Sequence, residues 1–459
     1  MKKKIAIFIT VIVISSLIAG CFGQKTDTGP VNLTMYGLDD SDVMEPIIQK
    51  YQEKYSAVRI KYKKFADPVA FEDLLVNEIA EGEGPDIFYL HNTWLPRHIK
   101  KIVPLQSETL IPEKFTEIFA NVSKQDFVQP DPKDGAQKIY ALPLYVDTLA
   151  LYYNKKDFEQ KFPERGKPAG NWQVFQNEAS QLRQQASDTN VLEHGAIAMG
   201  RSDNIRLTAD ILYNLFLQGG VSFYDDAFKK VSLSGSASKY FDYFLSFADS
   251  KNKNFSWNFE LAPPSVNSLG EVEAFLSGKV SSILAYSDLY PRLETELKNV
   301  KTKAGGTISL SDIGVMPVPQ FAENEADYKV FANYYGLAVS RNSKNPTVAW
   351  DFIKFLTTSP QNAGSYHTKT KRPAALRDLV EAQKKEPVTE VFISQLGYAG
   401  SFRIFSDSKF ANALKEAVTA ANQGLSSQEA LNQAVDRMNE VLKTEAPEGL
   451  YPKPKIKKK

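Results

Sequence analysis

Residues 31–90 constrain the fold of this chain more than any other segment. Val31–Tyr36 (VNLTMY) alternates apolar and polar residues, as a half-buried strand does. A loop, Gly37 to Ser41, precedes a helix in which Asp42 and Glu45 have the spacing of a capping box, and Met44, Ile47, Ile48, Tyr51 and Tyr55 share one face. Val58–Tyr62 alternates again. Phe71, Leu74, Leu75 and Ile79 then mark a helix over about 70–80, which Gly82 and Gly84 end. Ile87–Leu90 is a short apolar run suited to a strand buried on both faces. Strand, helix, strand, helix, strand predicts an α/β layer on a mostly parallel sheet. Ligands of such sheets bind beyond the carboxyl ends of the strands, here the loops holding Asp39, Asp40, His91 and Trp94.

A chain of 459 residues exceeds what one hydrophobic core organises, so two domains are expected. The net charge of +1 gives no electrostatic case for nucleic acid. The single cysteine, Cys21, closes the leader MKKKIAIFITVIVISSLIAGC, in which three lysines precede an apolar run and small residues. This order predicts a signal peptide over 1–20, with Cys21 lipidated as in a bacterial lipobox. Residues 21–30 then form a tether, and the body lies outside the cytoplasmic membrane. With no other cysteine, that body relies on packing without disulfides. Residues 447–459, rich in Lys and Pro, are expected to be disordered.

The middle of the chain offers further strands and helices. Ala141 to Tyr153 is a long extended run with Asp147 in its interior, where a carboxylate needs a partner, water or ligand. Leu207–Leu217 and Glu271–Leu276 read as helices, Val280–Tyr286 and Phe331–Val339 as extended segments. A helix opens at Asn345-Pro346, and the last helix at Ser426, whose hydroxyl and Glu429 form a capping box. The four histidines show no metal-ligand spacing, and no nucleophile elbow or phosphate loop occurs. No cofactor and no metal are expected, nor is enzyme activity.

Six segments in order then resemble the extracellular solute-binding proteins of ABC importers, in the cluster related to maltose-binding protein. They are GEGPDIFYLHNTWLP (82–96), YALPLYVDTLALYYNKKDF (140–158), NWQVFQNEASQL (171–182), EAFLSGKVSSILAYS (273–287), DIGVMPVPQ (312–320) and FANYYGLAVSRNSKNPTVAWDFIKFLT (331–357). The resemblance implies two α/β lobes, 31–146 plus 336–370 and 147–335 plus 371–446, joined by crossovers near Val146, Tyr335 and Thr370–Arg372. It implies a monomer that closes on a small ligand, delivers it to the importer's membrane permease, and is held at the membrane by lipid on Cys21. Asp147 matches an acidic ligand-contacting position at the family's first hinge. The candidate ligand residues are Asp39, Asp40, His91, Trp94, Tyr145, Asp147, Arg201, Tyr286, Asn333, Tyr334, Tyr335 and Arg372. A carbohydrate is the favoured ligand, because such residues combine flat aromatic faces with polar groups. A polyamine, a glycerol phosphodiester, an exported glycan-active enzyme and a surface adhesin on the same fold remain open.

Overall fold

The computed structural model describes residues 29–187, 191–225, 230–233, 235–264, 268–304 and 307–445. The leader, Cys21, most of the tether and the Lys/Pro tail therefore lie outside the described residues. Among those described, no helix is long and apolar enough to cross a membrane.

The opening order is the one expected. Strand β1 (Val31–Gly37), helix α1 (Ser41–Lys54), β2 (Val58–Lys64), α2 (Pro68–Ala80) and β3 (Ile87–His91) follow one another. Both β2 and β3 pair with β1 in parallel. Asp67 caps α2 by accepting from the N–H groups of Val69 and Ala70. The expected capping box at α1 does not form: Asp40 occupies the cap position and its side chain makes no cap bond. Its carboxylate is drawn away to Lys64. Asp86 holds a turn, its Oδ2 accepting from the Thr34 N–H at 2.8 Å and its Oδ1 from the Ser343 hydroxyl at 2.5 Å.

The sheet then departs from a mostly parallel arrangement. Strand β4 (Leu142–Pro143) and a later strand, β10 (Tyr335–Val339), complete it in the order β2-β1-β3-β10-β4, and β10 runs antiparallel to both neighbours. The reason is topological. The chain leaves this layer after β4, builds the second half of the molecule, and re-enters the sheet from the opposite end. The second half has its own sheet, in which β6 (Ala150–Asn154) lies between β7 (Ser282–Ala285) and β8 (Ile313–Pro317), antiparallel to both. Both sheets are therefore mixed.

Two hydrophobic cores result. One gathers residues between Leu33 and Val146 with Leu337–Val339 and Ala349–Tyr366, and the other residues between Leu149 and Phe331 with Ile404–Leu442. Ala332, Tyr334, Ala375, Leu376, Ile393 and Leu396 pack into the first. Between the cores runs a narrow three-stranded sheet. Strand β5 (Asp147–Thr148) pairs with β9 (Val330–Asn333), which pairs with β11 (Ala399–Gly400). The Val146 N–H donates to the Pro373 carbonyl at 3.2 Å, so the passage at 372–373 lies beside the first crossing. The contribution of Ala399–Gly400 is a further segment that the sequence reading lacks.

Candidate functional site

The polar and aromatic side chains at the junction of the two halves fall into two groups. The first centres on Asp39, in the loop after β1. Its Oδ2 accepts from the hydroxyls of Tyr89 and Tyr366, each at 2.8 Å, and its Oδ1 from Nη1 of Arg372 at 2.8 Å. The guanidinium of Arg372 lies 4.3 Å over the ring of Tyr145, a cation–π contact, and donates to the Tyr366 hydroxyl at 3.0 Å. Asp39, Tyr145 and Arg372, 333 residues apart at the extremes, are thus brought together as one buried unit. Asp40 is not part of it: its side chain is 68% exposed and pairs with Lys64 on the surface.

Asp147 sits next along, on β5, almost fully buried. Its carboxylate accepts from the Ser287 hydroxyl at 2.6 Å and N–H at 3.1 Å, and from the Thr148 N–H at 2.9 Å. Burial pushes its pKa up to about 7; the Ser287 hydrogen bond opposes this and the charge of Asp288 adds to it. A carboxyl whose folded pKa lies above its ordinary value holds its proton more tightly when folded. Stability from this group is full at acid pH and falls as pH rises from about 4 through about 7. Asp147→Asn should therefore be as stable as the parent at pH 4 and more stable at pH 8, by at most about 4 kcal/mol. Urea unfolding of both proteins at the two pH values checks this.

The second group lies across β9 and β10. His91 bonds through Nδ1 to the Thr93 hydroxyl at 2.7 Å and through Nε2 to the Asn333 side-chain oxygen at 2.8 Å. Burial lowers the pKa of His91, keeping the ring neutral. The Asn333 amide nitrogen lies 3.5 Å from Oδ2 of Asp210, which accepts the Tyr286 hydroxyl at 3.0 Å. A polar chain thus runs from the first half (Thr93, His91) through the crossing strand (Asn333) to the second half (Asp210, Tyr286). Tyr335 sits above it, its ring 4.8 Å from His91 and edge-on to Trp94 at 5.7 Å. Trp94 is only 3% exposed, so it buttresses Tyr335. Tyr335, Tyr286, Asn333, Asp210 and Asp407 are half-buried.

Burial raises the pKa of Asp210 and of Asp407 to about 6, Asp407 adding to the rise at Asp210 and Lys415 opposing it at both. Asp407 is the first residue of the helix Asp407–Asn422, and Asp210 lies in the first turn of Thr208–Gln218. At the rim, Arg97 reaches Glu72 at 3.2 Å and, across to the other half, Glu445 at 3.1 Å.

Besides Asp40, two candidates point elsewhere. Tyr334 alternates to the opposite face from Tyr335. It is fully buried, and its hydroxyl donates to Asp126 at 2.5 Å within a node completed by Asn92 and Ser401. Arg201 makes a bidentate pair with Asp203, two residues on. Asp210, Asp407, Glu72 and Asp126 are absent from the sequence reading. In sequence, an acidic residue in a first helical turn reads as a complement to the helix dipole, which hides a role in a cleft.

Two cores, a hinge of several crossing segments and a polar-aromatic cleft between them define a two-lobed binding protein. The chain belongs to the bacterial extracellular solute-binding protein family, whose model matches residues 38–363. It is similar in fold to a cyclo/maltodextrin-binding protein solved with maltotetraose, at 18% identity and a TM-score of 0.69, covering 92% of this chain and 100% of that one. The sugar-binding protein MalE from Xanthomonas citri gives 15% identity and a TM-score of 0.69, covering 90% of this chain and 98% of that one. The GacH receptor of Streptomyces glaucescens, solved unliganded and with acarbose, gives 17% and 0.65, covering 90% and 99%. A Brucella abortus (strain 2308) protein bearing a binding-protein name is 21% identical over 175 residues, 37% of this chain and 40% of that protein's length.

Proposed function

We propose that this protein is the capture component of an ABC importer and that it binds a saccharide between its lobes. The observation that carries the reading is the cleft: the partly exposed rings of Tyr335 and Tyr286 stand among carboxylates (Asp210, Asp407) and an amide (Asn333) drawn from both sides of the hinge. Rings suit the C–H faces of a sugar, and carboxylates accept two hydroxyls each. The sugar ligands named for the structural relatives support the same class. We assign 31–146 plus 336–370 to one lobe and 147–335 plus 371–446 to the other; the two cores support this for most of the chain, while Ala332, Tyr334, Ala375, Leu376, Ile393 and Leu396 pack into the first core. The ligand touches both lobes only when they are closed, so it shifts the hinge toward the closed form, which the permease would engage. Lipid on Cys21 would keep this monomer beside its importer. In this reading the chain has no catalytic step: it binds and releases.

The test is a thermal-shift panel of mono- and oligosaccharides, with spermidine and glycerophosphocholine as the competing classes. Saturable stabilisation by at least one saccharide is expected through ligand linkage. Stabilisation by spermidine or the phosphodiester alone would overturn the saccharide reading, and release of smaller sugars from an oligosaccharide would overturn the binding-only reading.

A further inference from the structure

At the rim, a chain of charges crosses from one half of the molecule to the other. Glu72 lies on α2 and Arg97 on the short helix Leu95–His98, both in the first half. Lys409 and Glu445 lie on Asp407–Asn422 and Ser427–Glu445, two helices packed together in the second. Nη1 of Arg97 meets Glu72 Oε1 at 3.2 Å, and its Nη2 meets Glu445 Oε2 at 3.1 Å. The other oxygen of Glu445 accepts from Lys409.

The central pair, Arg97 with Glu445, has the properties of a contact that can open. Each member keeps a partner in its own half. Separating the halves leaves Arg97 on Glu72 and Glu445 on Lys409, so no charge is stranded. The two side chains are 17% and 23% exposed, so water and salt screen their attraction less than that of a surface pair. Glu445 Oε2 is buried but makes no aligned hydrogen bond, and it faces Arg97 as charge against charge. Such an attraction depends less on angle than a hydrogen bond does.

The charges around the pair make Arg97 the necessary cation. Burial, and after it the charge of Glu72, raises the pKa of Asp407 to about 6, so these carboxylates of opposite halves lie within Coulomb range. With Glu445, the second half sets two carboxylates toward Glu72. Without Arg97, closure would press like charges together.

We propose that Arg97 and Glu445 form a latch, an ion pair made as the lobes close, which sets the closed fraction before any solute arrives. Apparent affinity then rises with that fraction, although neither residue belongs to the group of Tyr335, Tyr286, Asn333 and Asp210. The latch depends on the two lobes and not on which solute they hold.

Electron–electron resonance distances between nitroxides at Val69→Cys and Phe259→Cys, exposed positions in opposite halves, read the closed fraction with no solute present. The background is Cys21→Ser. Glu445→Gln should lower the closed-to-open ratio about fivefold, and Glu445→Lys, which opposes Arg97, should lower it further. Glu440→Gln, which removes only an exposed pair with Lys443, should leave the ratio within about twofold. Raising NaCl from about 50 mM to about 500 mM should lower the ratio about threefold in the parent and leave Glu445→Gln unchanged. A parent with no closed population, a ratio that both Glu445 variants preserve, or equal salt dependence in parent and Glu445→Gln would overturn the latch and leave the saccharide reading standing. A thermal-shift panel in which no saccharide stabilises the protein would overturn that reading and leave the latch standing.

Discussion

Asp39→Ala should destabilise the protein by about 3 kcal/mol. The carboxylate accepts from two buried hydroxyls, Tyr89 and Tyr366, and is the ion-pair partner of Arg372. Its loss leaves two hydroxyls and a guanidinium without their acceptor in a site that the Tyr145 ring shields from water. Breaking one side of such a pair costs more than the pair contributes, because the remaining charge is stranded. Part of the penalty is relieved by water, since the Arg372 side chain keeps 23% of its exposure. Asp40→Ala, one residue on, removes only an exposed pair with Lys64 and should change stability by less than about 0.5 kcal/mol. Urea unfolding of the two variants separates a buried hinge carboxylate from its surface neighbour.

The contrast between Asp39 and Asp40 shows where sequence reading reaches and where it stops. Local rules identify both as loop carboxylates after a strand, and only the arrival of Tyr366 and Arg372 from far along the chain distinguishes them. The first five elements, the helix at Pro346 and the Ser426–Glu429 cap are legible because each depends on residues within a few positions. The direction of β10 is not legible, because a strand's pattern records which faces are buried and not the end from which the chain enters the sheet. Tyr334 and Tyr335 are equivalent as neighbouring tyrosines, yet period-two alternation sends one to Asp126 and the other to the cleft. Asp210 and Asp407 become a pair only when two helix starts, nearly 200 residues apart, converge.

The second large effect concerns binding. Tyr335→Ala should weaken saccharide affinity about a hundredfold, mostly through faster release. Tyr335 is the partly exposed member of an aromatic stack whose other members, His91 and Trp94, are buried against it. It lies on β10, immediately after the crossing residues Asn333 and Tyr334. Removing the ring deletes the platform and opens a gap beside His91, loosening the polar chain to Asn333. Tyr335→Phe keeps the platform and should stay within about threefold of the parent. Trp94→Ala should lower affinity too, with a loss of stability that Tyr335→Ala does not match, since Trp94 is packed on all sides.

The central claim, that one saccharide is held in the cleft between the lobes, is tested most directly by calorimetric titration of the parent and of Tyr335→Ala with the most stabilising sugar from the panel. One ligand per chain is expected for the parent and an affinity about two orders of magnitude lower for the variant, with unfolding still cooperative. Equal affinity in the two proteins would contradict it.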